Sequence, residues 1–216
     1  MLRLTTLKIF AFRLGRVGRE AQDARLMMAG NDDSWTKAGV RRSMRALLRA
    51  VRESTLAAWT AQLVTRLQAR SELWDKPGTV AIFGGLRSEP DFVSTFLPWL
   101  RERGWRVVMF TVSGTELQPV EVRDEHDLKR GPLGVWEPVG SEVLPLESLD
   151  VILVPGLAFA QSIGARLGRG GGFYDRLLSR PEVRAQLIGI AFEMQLLPNI
   201  PSEEHDICVP DIVTER

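Results

Sequence analysis

The sequence predicts an α/β fold, in which a largely parallel, mixed central sheet is flanked by helices to give three layers in a single domain. Short apolar and β-branched runs, typical of strands buried on both faces, recur along the chain. Segments whose apolar residues have helical spacing alternate with these runs. The 216 residues are enough for one domain with a sizeable core.

Composition and charge exclude several classes of protein. Hydrophobic residues make up 44% of the chain and charged residues 25%, which excludes a fibrous or wholly disordered protein. The 28 basic against 27 acidic residues argue against a domain that coats nucleic acid. Because Cys208 is the only cysteine and no apolar run reaches about eighteen residues, we expect no disulfide, zinc cage or membrane span. A soluble, intracellular protein, cytoplasmic by default and a monomer or small homo-oligomer, is the expectation.

The first 35 residues differ from the rest of the chain. Residues 1–19 contain five basic residues and no acid, interleaved with apolar ones. This pattern is typical of an organelle transit peptide, but also of a species-specific extension or of a start assigned upstream of Met27 or Met28. A basic arm on nucleic acid is a weaker alternative. We therefore interpret residues 1–35 as an extension and residues 36–216 as the domain.

Two helices are predicted before the first strand. The polar residues 32–34 suit a helix cap, and apolar and basic residues then occupy opposite faces of a helix over residues 37–51. Ser54 or Thr55 can cap a second helix, and the Pro77-Gly78 pair breaks the chain.

The rest of the chain alternates strands and helices. Strands are predicted over residues 79–83, 106–112, 151–154 and 187–192, and helices over residues 91–103 and 173–179. A polar stretch with Gly and Pro covers residues 113–148. Ligands of such sheets bind beyond the carboxyl ends of the strands, so we expect a site among the loops after Phe83, Val154 and Phe192.

The loop after Val154 carries the strongest functional signal. Residues 166–176 read Arg-Leu-Gly-Arg-Gly-Gly-Gly-Phe-Tyr-Asp-Arg, with four glycines in five positions. Glycines allow backbone N–H groups to turn towards an anion, and arginines supply forked donors that fit phosphate. The spacing matches neither a Walker loop nor a dinucleotide fingerprint. A flexible surface loop is the alternative, but the arginines and the aromatic pair favour a phosphate site.

These residues resemble a known family, the 5-formyltetrahydrofolate cyclo-ligases, also called 5,10-methenyltetrahydrofolate synthetases. The resemblance is carried by residues 149–159 and 166–176 and spans about residues 36–216. The other matching motifs are Lys37-x-x-x-Arg41, residues 83–89, Gly134-Val135-Trp136-Glu137-Pro138, Ala191-Phe192-Glu193-Met194-Gln195, His205-Asp206 and residues 212–215.

The resemblance implies a ligase of folate and one-carbon metabolism. Its substrates would be a reduced folate and ATP, with Mg²⁺ required and with neither nucleic acid nor membrane as a partner. ATP would phosphorylate the formyl oxygen of 5-formyltetrahydrofolate, and ring closure would release phosphate and give 5,10-methenyltetrahydrofolate and ADP. The protein would contribute positioning and charge stabilisation, as is usual in phosphoryl transfer.

The resemblance also implies residue roles. Arg169 would be catalytic, because it is best placed to stabilise charge on the transferring phosphoryl group. Lys37 and Arg41 would bind ATP, although they also suit a solvated helix face. The other ATP-binding residues would be Arg166, Leu167, Gly168, Arg169, Gly170, Gly171, Gly172, Phe173 and Tyr174.

The folate and metal sites follow in the same way. Gly84, Glu89, Arg169 and Phe173 would bind the folate, with the Glu89 carboxylate on the pterin; a helix-start acid is the alternative for Glu89. Phe173 and Tyr174 would line the pocket or anchor the helix.

Asp175 and Asp206 would bind Mg²⁺, because oxygen ligands suit this cation. A helix-start acid and an Asx turn are their respective alternatives. His205 would orient Asp206 or be an ordinary loop residue, while His126 and Cys208 are interpreted as structural.

Three positions depart from the family pattern. Ala160 stands where the family has Asp, Gly164 comes one residue late as if after an insertion, and Leu133 stands where an aromatic residue is common. A divergent paralogue that binds folate or nucleotide without this turnover is therefore the alternative to an active enzyme.

Overall fold

The computed structural model describes residues 35–131, 134–140, 142–160, 162–203 and 206–216. Residues 1–34 of the predicted extension, together with Leu133, Gln161 and His205, lie outside the described residues. Among the described residues, no helix has the length and apolar character that crossing a membrane requires.

The helices form where apolar residues recur at helical spacing. They are α1 (Lys37–Ala50), α2 (Glu53–Gln68), α3 (Ser71–Trp74), α4 (Phe92–Thr95), α5 (Leu97–Glu102) and α6 (Phe173–Leu178). The cap of α1 is Thr36, two residues after the polar stretch 32–34, and its hydroxyl accepts a hydrogen bond from the Gly39 N–H at 3.1 Å. Helix α1 buries Val40, Met44 and Leu48.

The predicted helix over residues 91–103 is wrong in one respect, because it is divided into α4 and α5. Phe96 is the C-cap residue of α4 and also the N-cap residue of α5. Pro98 lies in the first turn of α5 and has no N–H to donate to the preceding turn, so a continuous helix would lose a hydrogen bond here. Asp91 caps α4 by accepting a bond from the Ser94 N–H at 3.2 Å.

The strands form one large sheet and two small ones. In chain order they are β1 (Thr79–Ile82), β2 (Arg106–Ser113), β3 (Glu116–Glu121), β4 (Leu128–Arg130), β5 (Trp136–Pro138), β6 (Val151–Pro155), β7 (Ala158–Ala160), β8 (Ala165–Leu167), β9 (Gln186–Ile190), β10 (Leu196–Leu197) and β11 (Ile212–Val213). The six-stranded sheet has the order β11-β9-β6-β1-β2-β3, and every neighbouring pair is parallel except β2 with β3. The predicted mixed, largely parallel sheet is confirmed.

Successive residues of the central strands enter two separate hydrophobic clusters, one on each face of the sheet. Val80, Ile82, Leu153 and Ile188 pack with the apolar faces of α1, α2, α4 and α5. Ala81 and Ile152, together with further residues, pack with α6 and with the segment around residues 144–149. Because side chains alternate across a strand, these two clusters establish the three layers predicted from the apolar runs.

The polar stretch over residues 113–148 contains three strands that were not predicted from the sequence. Strand β3 pairs with β2 as an edge strand, with a mixed pattern of burial and with Pro119 in its middle, which an edge tolerates. Strands β4 and β5 form a separate antiparallel hairpin. Charged residues on the solvated faces conceal the alternation that would identify such strands.

A second small sheet leads directly into the glycine-rich loop. Strand β7 pairs antiparallel with β8 and parallel with β10, and Ala160 lies opposite Ala165 with no exposed surface. The Val209 N–H donates to the Gly164 carbonyl at 2.7 Å at the far end of the β7–β8 hairpin. The pairing of β7 with β8 therefore forms with Ala160 in place of the expected acid.

Candidate active site

A cavity of about 270 Å³ opens at the carboxyl ends of β1, β2 and β6. The loops after Phe83 and Val154 both line it, as the rule for open parallel sheets predicts. The turn after Phe192 contributes to the site indirectly, because it supports the loop after β6. The buried Gln195 amide in this turn donates to the Gly156 and Leu157 carbonyls at 2.8 and 3.3 Å. This contact holds the loop after β6 at the cavity wall.

The glycine loop forms the polar end of the cavity, and helix α1 holds it in place. The Arg41 Nε donates to the Gly168 carbonyl at 2.9 Å, and the Arg45 Nη2 donates to the Arg169 carbonyl at 2.7 Å. Gly170 and Gly172 have φ of +109° and +65°, a region that other residues rarely adopt. Arg41 therefore contacts the glycine loop and is not simply part of a solvated helix face. Arg45 makes a similar contact, but the sequence analysis did not identify it as a site residue.

Arg166 lies at the base of this end, with only 2% of its side chain exposed. Its Nη2 donates to the Asp175 carboxylate at 2.5 Å and its Nη1 to the Pro155 carbonyl at 3.3 Å. Among the described residues its Nε has no hydrogen-bond partner. A buried guanidinium with an unused donor beside a cavity is well suited to a polyanionic ligand.

Two predicted members of the loop do not line the cavity. The Leu167 side chain is buried in the first hydrophobic cluster, and its carbonyl accepts a bond from the Leu157 N–H at 2.8 Å. Gly170 faces Arg41 of α1 instead of the cavity. The remaining loop residues, namely Arg166, Gly168, Arg169, Gly171, Gly172, Phe173 and Tyr174, do line it.

Arg169 and Glu89, eighty positions apart in the sequence, both line the cavity and form an ion pair. The Arg169 Nη2 lies 2.9 Å from the Glu89 Oε1, and its Nε lies 3.3 Å from the same oxygen. Burial raises the pKa of the Glu89 carboxyl above its ordinary value, although the Arg169 guanidinium opposes this shift. Glu89 is not a helix-start acid, because Asp91 occupies the cap of α4.

Each of the two predicted metal ligands is in contact with a cationic side chain that was predicted to bind ATP. Asp175 lines the cavity in the first turn of α6 and accepts from Arg166. Asp206 lies against α1, where its oxygens are 2.7 and 2.9 Å from the Lys37 Nζ, and its Oδ2 accepts from the Glu203 N–H at 2.7 Å. This bond comes from a residue earlier in the chain, whereas the Asx turn that was the alternative for Asp206 would accept from the N–H two residues further on.

The donor set fits Mg²⁺ in its chemistry. Within the described ranges, no group of three or more His, Cys, Asp or Glu side chains is assembled to hold a metal. Mg²⁺ does not need such a cage, because it typically takes one or two carboxylates and completes its shell with phosphate oxygens and water. Asp175 provides a carboxylate of this kind at the cavity, whereas Asp206 does not line the cavity and lies beside Lys37, one helical turn from Arg41.

The aromatic pair serves both roles considered for it. Phe173 and Tyr174 line the cavity and also pack against the second hydrophobic cluster. Tyr174 meets Phe110 edge-on at 5.9 Å, and burial raises the pKa of its phenol. His126 and Cys208 are both exposed and do not line the cavity.

The apolar end of the cavity was missed from the sequence. It is formed by Met109, Phe110 and Val112 of β2, Leu117 of β3, and Trp136 of β5. The available signal was Trp136, which lies in one of the motifs that carry the family resemblance but had no role attached to it. The others belong to strands whose side chains face the cavity only because β2 and β3 lie at that side of the sheet.

Comparison with known proteins decides the family. A model of the 5-formyltetrahydrofolate cyclo-ligase family matches residues 33–215. The chain belongs to the 5-formyltetrahydrofolate cyclo-ligase family. The cyclo-ligase of Escherichia coli K12 is 37% identical over 142 residues, which cover 63% of this chain and 77% of that protein. The cyclo-ligase of Mycolicibacterium smegmatis is 47% identical over 76 residues, which cover 34% and 39% of the two chains.

Solved structures agree with this assignment. The 5,10-methenyltetrahydrofolate synthetase of Aquifex aeolicus is similar with a TM-score of 0.72 and 28% identity, covering 83% of this cyclo-ligase and 90% of that chain. The synthetase of Mycoplasma pneumoniae shares the fold, with a TM-score of 0.69, 20% identity and coverage of 83% and 99%. The resemblance inferred from the motifs is confirmed. The chain is an enzyme of the ligase class, and its family implies a folate and ATP as small-molecule substrates.

Proposed function

We propose that this cyclo-ligase converts 5-formyltetrahydrofolate to 5,10-methenyltetrahydrofolate and splits ATP into ADP and phosphate in a Mg²⁺-dependent reaction. The observation that carries the proposal is the contact between Arg169 and Glu89 at 2.9 Å. It brings a phosphate-binding loop and a carboxylate suited to a pterin to the same cavity. An enzyme that phosphorylates a folate needs both groups within reach of one reacting atom.

The polar end would take the nucleotide. The lining residues Arg166, Gly168, Arg169, Gly171 and Gly172 would supply guanidinium and backbone donors for the triphosphate, and Arg41 would add charge from behind the loop that it contacts. Lys37 lies one helical turn from Arg41 on α1 and would add a further positive charge. Asp175 and Asp206 would hold Mg²⁺, which when bound neutralises phosphate charge.

The opposite side would take the folate. The Glu89 carboxylate can accept two hydrogen bonds from the amino-pyrimidine edge of the pterin, and Gly84 and Phe173 line the same cavity. In the structure, one oxygen of this carboxylate is occupied by Arg169. Arg169 must therefore exchange Glu89 for phosphate when both substrates are present, and the flexible stem of the side chain allows this exchange.

The chemistry requires no covalent bond to the protein. The formyl oxygen attacks the terminal phosphorus of ATP, and the bond from that phosphorus to ADP breaks. The neighbouring folate nitrogen then attacks the formyl carbon and gives up its proton, and the carbon–oxygen bond breaks to release phosphate. Arg169 would stabilise the negative charge that develops on the transferring phosphoryl group.

A direct assay tests this proposal. The full chain is mixed with 5-formyltetrahydrofolate, ATP and Mg²⁺, and the near-ultraviolet absorbance of the methenyl product is followed. We expect absorbance that requires all three components. No absorbance, with folate binding retained, would instead favour a divergent relative that binds without turnover. The pairing of Ala160 with Ala165 supports an active enzyme, since β7 and β8 still pair beside the position where the family has an acid.

The domain boundary and the location are parts of the same proposal. We propose that residues 36–216 carry the activity in the cytoplasm and that residues 1–35 are an extension. A chain that starts at Met28 should then retain the turnover of the full chain. A fusion of residues 1–35 to a reporter should stay in the cytoplasm, and its delivery to an organelle would identify a transit peptide instead.

A further inference from the structure

Trp136 stands in the cavity wall with one face already covered. The guanidinium carbon of Arg130 lies 3.8 Å from the centroid of its ring, within the range of a cation–π contact. Arg130 is itself held, because its Nη1 donates to the Gly85 and Gly134 carbonyls at 2.5 and 2.6 Å. Arg130 therefore covers one face of the Trp136 indole, and Trp136 also lines the cavity.

Two glycines bring this indole close to the turn that leads to Glu89. The Trp136 N–H donates to the Gly84 carbonyl at 3.2 Å, and a Cβ on Gly84 would lie 3.9 Å from the indole Cδ1. Gly85 has φ of +109°, and a Cβ there would lie 2.3 Å from the Trp136 nitrogen. Only a turn without side chains allows the β5 backbone to approach this closely.

The result is an aromatic side chain and a carboxylate at two ends of one short turn. Glu89 and Trp136 both line the cavity, and residues 84–89 connect them. A carboxylate fixes a ring by its edge but leaves the ring free to tilt about that edge. An indole face beside it fixes the plane, because aromatic rings stack with offset, face-to-face geometry.

We propose that Trp136 is a specificity-determining residue that stacks on the flat pyrimidine half of the pterin, and that Arg130 is its positioning residue. This inference rests on the proposed function. Arg130 keeps the indole in one orientation before the folate arrives, so little side-chain freedom is lost on binding. A pterin held by both Glu89 and Trp136 presents its formyl group in one direction, towards the glycine loop.

Trp136 also packs against the first hydrophobic cluster, so a purely structural role must be separated from a binding role. Trp136→Phe keeps a flat ring, whereas Trp136→Leu keeps only apolar volume. Trp99 provides a matched control, because Arg103 lies 4.0 Å from its ring centroid in the same type of contact, and Trp99 does not line the cavity. Trp99→Leu therefore removes an equivalent pair at a distance from the site.

Steady-state kinetics and melting temperature are measured for all variants in the full chain. We expect Trp136→Leu to raise the KM for 5-formyltetrahydrofolate about tenfold, equivalent to about 1.4 kcal/mol of binding free energy. Trp136→Phe should raise it less than about threefold, and Arg130→Met should fall between the two. The KM for ATP should not change, and Trp99→Leu should leave both KM values unchanged even if the melting temperature falls.

Titration of the folate without ATP gives a second readout, by calorimetry and by tryptophan fluorescence. Binding should quench the wild-type signal, and Trp136→Phe should remove most of the quench while affinity is largely retained. A wild-type KM and affinity in Trp136→Leu would overturn the inference and leave the proposed function intact. If the wild-type chain makes no methenyl product, the proposed function fails, and the titration alone decides the role of Trp136. A wild-type chain that binds no folate would overturn both.

Discussion

The two ends of the cavity are built in opposite ways. The polar end comes from one continuous segment, residues 166–176, which carries Arg166, the glycines and Asp175. The apolar end comes from three strands that are separated in the sequence, β2, β3 and β5. A short motif can therefore identify the type of chemistry at a site, whereas the surface that selects the substrate depends on how distant strands are arranged.

The ends also differ in what holds them together. The polar end depends on directed contacts, such as the Arg166–Asp175 pair and the bond from Arg41 to the Gly168 carbonyl. The apolar end depends on close packing between β5 and the Gly84-Gly85 turn. Substitutions at the first end should chiefly affect turnover or buried charge, and those at the second should affect stability and substrate binding.

The largest effect is expected from Arg169→Ala. If the polar end carries the chemistry, kcat should fall roughly a thousandfold, because a guanidinium that stabilises a transferring phosphoryl group typically contributes that much. Turnover is followed by the methenyl absorbance, and circular dichroism checks that the fold is retained. Arg180→Ala is the control, since Arg180 pairs with the exposed Glu116 and Glu182 at the surface. Wild-type turnover in Arg169→Ala would refute the catalytic assignment.

The next largest effect is a loss of stability, expected when the ion pair between Arg166 and Asp175 next to the glycine loop is broken. Arg166→Met leaves the Asp175 carboxylate without its partner in a largely buried place, so the free energy of unfolding should fall by about 3 kcal/mol. Urea denaturation measures the loss. The double variant Arg166→Met with Asp175→Asn should recover part of it, because no unpaired charge then remains. A single variant as stable as the wild type would mean that the pair does not hold the polar end together.

A smaller effect is expected where the two ends meet. Gly85→Ala places a methyl group against the β5 backbone at a φ of +109°, so we expect a loss of about 2 kcal/mol in thermal or urea unfolding. Gly114→Ala is the control, because Gly114 also has positive φ but would place its Cβ in open space. Equal losses in the two variants would show that backbone strain alone matters and that contact with Trp136 does not.

The smallest effect is a pH dependence at Glu89, which lies between the two ends. As the pH falls through the raised pKa of Glu89, the carboxylate becomes neutral and loses one of its two acceptors, so the KM for the folate should rise. The rise should begin at a higher pH than the pKa of an ordinary glutamate would give. The KM for ATP serves as the internal control.

Glu89→Gln sharpens this test. It should give a KM for the folate that is raised at every pH and has no acid limb, whereas an unchanged acid limb would assign the titration to another group.

The raised pKa of Glu89 also affects the stability of the fold. Burial makes the folded chain favour the protonated carboxyl of Glu89. Its contribution to stability is therefore present at pH values below the pKa that Glu89 has in the unfolded chain, and it is lost as the pH rises through the pKa that Glu89 has in the folded chain.

Local pattern was sufficient for several features, because their physical cause lies within a few consecutive residues. The apolar runs at residues 79–83 and 151–154 predicted buried parallel strands, since only such strands are covered on both faces. The spacing of Val40, Met44 and Leu48 predicted the buried face of α1. The run of glycines and arginines predicted an anion-binding loop, and with the other motifs it identified the family.

Other features depend on which distant segments the fold brings together. The Arg169–Glu89 pair, the Lys37–Asp206 pair and the aromatic wall at Trp136 join residues whose separation in the chain carries no information about their contact. The edge strand β3 was concealed because its solvated face breaks the apolar pattern. The sequence by itself determined the central buried strands, helix α1 and the glycine-rich motif, since these follow from backbone propensity and periodicity. Only the tertiary structure, through the strand order β11-β9-β6-β1-β2-β3, decided which side chains face one another across the cavity.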